Sequence, residues 1–176
     1  STPFGGLPLI LKTFSVVDIP SHTPYLIAPP VSTQLRGEIK VGIVWASGSR
    51  TDDLGIKFHR EKSCDLTFFL PLTQFSQVTL YSFQVGPHSE DIRVLGVQNQ
   101  IQDLSPFIQN FADTSGLIAQ MDLIIGLDTA VVHLAGALHK PVWFLLPTEP
   151  EWRWLLDRED SPWYPSIRIF RQKETE

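Results

Sequence analysis

Only one of the 176 residues is a cysteine, Cys64, so no disulfide can form within the chain and a reducing compartment, the cytoplasm, is expected. Long apolar runs are also lacking. The longest, residues 41–46, 123–126 and 142–146, are strand-sized and fall well short of the ~20 residues of a membrane-spanning helix. No charged-then-apolar leader pattern opens the chain. Positive charge is scarce: 14 Lys and Arg stand against 19 Asp and Glu, a net charge of -5, which argues against a nucleic-acid partner. A local basic pocket for a small anion remains open. No G-x-G-x-x-G follows the first apolar run, which disfavours a flavodoxin-like or nicotinamide-binding domain. There is no G-x-S-x-G elbow either. His22, His59, His88 and His139 show no metal-ligand spacing, so neither a metal nor a cofactor is expected.

What is present is a globular composition, 43% hydrophobic and 19% charged, in a length that suits one sizeable domain. Residues 1–36 are punctuated by Pro3, Pro8, Pro20, Pro24, Pro29 and Pro30, with room for one helical turn at residues 7–11. This stretch reads as an interdomain linker or the tail of a missing N-terminal lobe. Residues 37–176 read as one α/β domain with a C-terminal tail. Residues 39–45 are a near-continuous β-branched run, hence a buried strand. Further strands are expected at 78–83, 101–104, 122–126 and 141–146, with an edge strand at 167–170. Helices are expected at 64–75 (capped by Ser63), 91–95, 114–120 (capped by Asp113) and 129–138 (capped by Asp128). Strands alternating with helices over short loops imply a Rossmann-like parallel sheet with helices on both faces.

Ligands of such sheets sit beyond the carboxyl ends of the strands. The loop Gly126-Leu127-Asp128-Thr129-Ala130 lies at such an end and starts a helix. A first helical turn offers unpaired N–H groups and a positive dipole end, which suits phosphate oxygens. Thr129 adds a hydroxyl, Ala130 leaves the approach clear, and His133 follows at the i+4 position from Thr129. Taken alone, the same residues also fit a plain helix cap and a core histidine.

The run Asp128-Thr129-Ala130-Val131-Val132-His133-Leu134-Ala135-Gly136-Ala137-Leu138, followed by Lys140-Pro141-Val142, resembles the D-[ST]-x-x-x-H-L-A-x-A-x-x-x-P signature of heptosyltransferase-like enzymes, glycosyltransferase family nine. The segments Trp152-Arg153-Trp154-Leu155-Leu156 and Ser161-Pro162-Trp163-Tyr164-Pro165 are similar to the branch found after tetratricopeptide repeats in bacterial proteins. The resemblance runs from about residue 37 to 171.

It implies the C-terminal, donor-binding lobe of a GT-B fold and an inverting, metal-independent transfer from a nucleoside-diphosphate sugar to a hydroxyl. The implied partners are a nucleotide-sugar donor, an N-terminal lobe carrying the catalytic base, and tetratricopeptide repeats. A module of the same architecture that has lost catalysis, and binds a nucleotide or another protein, is the alternative. By the resemblance Asp128 lies near the sugar or phosphate, Thr129 and Ala130 lie on the phosphates, and His133 lies close behind. Ser47, Gly48 and Ser49 form a second phosphate contact, completed by Lys62, with Lys57 and Arg60 as understudies. Lys62 reads equally as a solvated surface lysine. Glu90 is the candidate for the ribose hydroxyls, though it reads more readily as an exposed helix-start glutamate. Gln109 and Phe111 are the candidates for the base, with Phe111 fitting a buried core aromatic equally well. Val85 stands where the repeat-linked branch usually has lysine. Arg153 is a possible cleft contact, while Trp154 and Trp163 are expected to pack the tail.

Overall fold

The computed structural model describes residues 7–48 and 62–173. Ser49, Lys57, His59 and Arg60 lie outside the described residues. The β-branched run at the start of the domain forms strand β1, Ile39–Val44, whose last four residues are buried. It is followed by β2 (Val78–Ser82), β3 (Ile101–Asp103), β4 (Leu123–Gly126), β5 (Val142–Leu146) and β6 (Ile167–Arg171). These strands form one parallel sheet in the order β3-β2-β1-β4-β5-β6. The edge position expected for the last strand is the one it holds.

The helices are α1 (Leu7–Ile10), α2 (Asp91–Val94), α3 (Phe111–Ile118) and α4 (Ala130–Ala137). One face of the sheet packs on α3 and α4 through Leu117, Ile118, Val132 and Ala135, with Phe144 and Trp154 completing that core. The other face packs on Leu66, Phe69 and Ile92. This is the two-sided α/β architecture expected of alternating strands and helices.

Three local expectations are corrected. Residues 64–75 do not form an α-helix capped by Ser63. They hold a 3-10 helix, Leu66–Gln74, capped by Asp65, whose carboxylate accepts from the Thr67 N–H at 2.8 Å. Pro71 inside the segment has no N–H to donate and crowds the carbonyl one turn back, which disfavours the α form. Asp113 is not the cap of α3. Asn110 is: its Oδ1 accepts from Ala112 N and Asp113 N at 2.8 and 3.1 Å. Asp113 returns the bond by accepting from Asn110 N at 3.2 Å, a reciprocal capping box. Asp128 does not cap α4 either. Thr129 occupies that place, and its side chain makes no capping bond.

The proline-rich N-terminal stretch has two parts. Beyond the single turn of α1 and a 3-10 turn at Val16–Asp18, the chain becomes a strap across α3 and α4. Tyr25 N donates to Ala137 O at 3.1 Å, and Leu35 N donates to Gln120 Oε1 at 3.0 Å. Gln120 Nε2 donates in return to Thr33 O at 2.9 Å. Gly116 leaves the space the strap uses, since a Cβ there would come within 2.7 Å of Pro29 O. No helix among the described residues is long and apolar enough to cross a membrane.

Gly42 in β1 is a place where the fold tolerates no side chain. A Cβ would come within 2.6 Å of Phe83 Cε2 and 2.5 Å of Ile124 Cδ1, and both residues are buried. Gly42→Ala is therefore expected to destabilise the domain by about 1–3 kcal/mol, the usual cost of overpacking. Urea unfolding followed by circular dichroism checks this; a midpoint unchanged from the wild type would contradict the packing described.

Candidate functional site

The strand order places the site. From β1 the chain steps outward to β2 and β3, then returns to add β4, β5 and β6 on the other side of β1. The loops leaving β1 and β4 therefore diverge, and a crevice opens between their carboxyl ends. A cleft of about 430 Å³ lies there, within the range of small-molecule sites. Ala46 and Gly48 after β1, Phe83, Gln84 and Val85 after β2, Ile108 to Phe111 at the entry to α3, and Thr129 to Val131 at the start of α4 form its walls.

Gln84 sets the shape of the near wall. Its buried side chain substitutes for a strand neighbour: Oε1 accepts from Trp45 N and Ala46 N at 3.2 and 2.9 Å. Nε2 donates to Ala46 O at 3.2 Å. Trp45 Nε1 also donates to Asp91 Oδ2 at 2.9 Å, tying the β1 end to the turn that opens α2. Further along the loop, Ser63 Oγ accepts from Ser47 N at 3.2 Å and Cys64 N donates to Trp45 O at 2.9 Å. These bonds fold the chain back so that Lys62 reaches Asp128 beside the cleft.

The two helix starts in the cleft wall differ. The first turn of α3 is satisfied by its own capping box. That of α4 is not, because Thr129 makes no cap bond and its Oγ1 is buried with no partner. A helix N-terminus left open beside an unpartnered buried hydroxyl offers the donors that an anion would need.

Asp128 lies one residue before this turn, with a side chain only 7% exposed. Lys62 Nζ donates to its Oδ2 at 2.6 Å, and His133 Nε2 faces its Oδ1 at 3.5 Å. Burial pushes the Asp128 carboxyl up, but the hydrogen bonds and charges of His133 and Lys62 outweigh it and hold the group at about 2. The carboxylate is therefore ionised at neutral pH and fully committed to two cationic or donating partners. His133 is boxed in turn by Trp154, 5.2 Å between ring centroids, and by Tyr164, whose hydroxyl lies 3.1 Å from His133 Nδ1.

The structure thus brings Lys62 and His133 to Asp128, beside the cleft, while Thr129 and Ala130 line the cleft itself with Gly48, Gln109 and Phe111. Ser47 contributes its backbone to the loop after β1. Phe111 is 67% exposed at the rim, so its ring is free to meet a ligand rather than serving the core. Arg153 forms an ion pair with Glu151 and lies over the Trp152 ring, on the tail that packs beside His133. Trp154 and Trp163 pack as expected: Trp154 is fully buried against Phe144, and Trp163 Nε1 donates to Arg153 O at 2.9 Å. Glu90 is not brought to the cleft. It ends a 3-10 turn leading into α2 and accepts from Arg93 Nε at 2.7 Å on an exposed surface, the pairing that i,i+3 spacing favours. Among the described residues no group of three His, Cys, Asp or Glu side chains is placed to hold a metal.

Sequence reasoning missed three contributors. Asn110 was legible, since Asn followed three residues later by Asp is a capping-box pattern. Gln84 carried no local signal, because its partners are backbone groups 38 and 39 residues away. The contact of Tyr164 with His133, 31 residues apart, was equally invisible.

The sequence model of glycosyltransferase family 9 (heptosyltransferase) matches residues 96–175, which include the whole Asp128 to His133 turn but not Lys62. Protein FlbA of Caulobacter vibrioides is 30% identical over 138 residues, covering 74% of this chain and 22% of FlbA. The structure of E. coli ADP-heptose lps heptosyltransferase II superposes with a TM-score of 0.57 at 15% identity, over 99% of this chain and 45% of that one. E. coli heptosyltransferase WaaC with ADP gives 0.51 at 16% identity, over 78% of this chain and 38% of that one. The chain spans less than half the length of each of these relatives. At such identities the structural likeness is one of fold, a Rossmann-like lobe of the GT-B heptosyltransferase type. Residues 96–175 carry the family 9 sequence pattern within it.

The depressed Asp128 pKa has a sign. A carboxyl held at about 2 in the fold, against 3.8 ordinarily, contributes stability that is complete above 3.8 and is lost as pH falls through 2. The difference in urea midpoint between wild type and Asp128→Asn is expected to be level above that window and to close within it. A difference that stays constant to low pH would show that the pair does not stabilise the ionised form.

Proposed function

We propose that this chain is the donor-binding lobe of an inverting, metal-independent glycosyltransferase that moves a sugar from a nucleoside-diphosphate sugar to a hydroxyl acceptor. The observation that carries the reading is the uncapped start of α4, with the buried, unpartnered Thr129 hydroxyl, in the switch-point cleft. The family 9 match over the same turn supports it.

In this reading the diphosphate accepts from the first-turn N–H groups of α4 and from Thr129, and Lys62 supplies the positive charge. Its ammonium, held at 2.6 Å by Asp128, is positioned in advance of the donor. The same groups then stabilise the leaving diphosphate, which a displacement with inversion requires, and this is the neutralisation that a metal ion supplies elsewhere. Gln109 and the exposed ring of Phe111 receive the nucleoside. The general base belongs to a facing N-terminal lobe, so the chain alone binds donor without turning it over. The full-length protein is a cytoplasmic one in which this lobe stands beside tetratricopeptide repeats, as the resemblance of the tail segments implies.

One observation favours a second reading, a catalytically inactive nucleotide-binding or protein-interaction module. Val85 puts an apolar, 48% exposed side chain on the cleft wall where the resemblance expects a lysine.

Calorimetry with ADP, UDP and GDP separates the donor lobe from an interaction module that binds no nucleotide. ADP is the first ligand to try because it is present in the E. coli WaaC structure. Binding is expected to persist in EDTA. Lys62→Ala is expected to raise the Kd about tenfold or more, and Thr129→Val about twofold to tenfold, the usual ranges for losing a charged and a neutral hydrogen bond. Absence of heat with every nucleotide would overturn the donor-lobe reading in favour of the interaction module.

A further inference from the structure

A hydroxyl and an imidazole stand in line behind the start of α4. The Tyr164 ring lies along α4 in space that Gly136 leaves open, since a Cβ there would come within 2.6 Å of Tyr164 Cγ. From that position its hydroxyl reaches His133 Nδ1 at 3.1 Å, and the opposite imidazole nitrogen faces Asp128.

The chemistry fixes the direction of each bond. Asp128 is ionised, so its oxygens only accept, and the Nε2 facing it carries the proton. In a neutral ring Nδ1 then holds a lone pair, so Tyr164 must donate to it. Burial and the neighbouring Tyr25 phenol push the Tyr164 phenol upward in pKa, so it stays protonated and able to donate.

We propose that Tyr164 is a positioning residue that acts through His133. It holds the imidazole in the Nε2–H form against Asp128, which leaves the other carboxylate oxygen to Lys62. The consequence for ligand affinity rests on the nucleotide-binding reading above; the imidazole tautomer does not.

The test uses the chain labelled with nitrogen-15 at histidine, in long-range proton–nitrogen spectra at about pH 8, where an ordinary imidazole is neutral. The His133 signals are assigned by their loss in His133→Gln. The wild type is expected to show the Nε2–H pattern, and Tyr164→Phe, which keeps the ring over Gly136, a mixture of tautomers. If Tyr164→Phe does not fold, the wild-type tautomer alone decides. ADP titrations of the same proteins should show a Kd about twofold to tenfold higher in Tyr164→Phe. An Nδ1–H pattern in the wild type overturns the proposal, as does a tautomer unchanged in folded Tyr164→Phe. If the wild type binds no ADP while the tautomer responds as expected, the nucleotide reading fails and the positioning role stands.

Discussion

The parallel pairing of β1 with β4, in which Val44 lies opposite Gly126, is the contact on which the site depends. It brings together two strand ends that are 82 residues apart in the chain and send their loops in opposite directions. Glycine is required at the second position, because a Cβ on Gly126 would lie 3.2 Å from Val44 O and closer still to its side chain. The cleft, the open start of α4 and the approach of Lys62 to Asp128 follow from that juxtaposition. A wider spacing would separate the cation from the carboxylate.

Electrostatics then decides what each polar group does. A carboxylate 7% exposed cannot remain ionised without compensation, and two partners from different elements provide it. Lys62 comes from the loop after β1, and His133 from the second turn of α4. This explains why Asp128 is not a helix cap: its oxygens are committed to charge, and the backbone donors of α4 are left unclaimed. Asn110 at α3 shows the contrast. It is neutral and exposed, bears no cost of burial, and spends its side chain on its own helix. Two helix starts in one cleft therefore have opposite characters, one closed on itself and one open to a ligand. The tail supports the second, since Trp154 and Tyr164 fix the ring of His133 from two sides.

Much of the architecture was legible beforehand because it rests on local patterns. Apolar β-branched runs of strand length, spaced by helix-length segments, dictate a parallel α/β sheet, and the strand boundaries came within a residue or so of those observed. The turn at Asp128-Thr129-Ala130, with His133 one turn on, was visible because helical spacing and a start signal are properties of neighbouring residues. The helix caps were misread where several candidates lay close together: Ser63 against Asp65, and Asp113 against Asn110. Their order is settled by which oxygen meets which N–H, and Pro71 further turned one helix into a 3-10 segment.

Other features belong to the tertiary structure alone. The side chain of Gln84 standing in for a strand, the Lys62–Asp128 pair and the contact of Tyr164 with His133 all join residues whose sequence separation carries no signal. The physical reason is common to them. Residue types and periodicity determine which segments are buried and how they are shaped, and these are near-neighbour properties. Which buried charge meets which cation depends on the order of the strands in the sheet, and that order is decided only when the whole core packs.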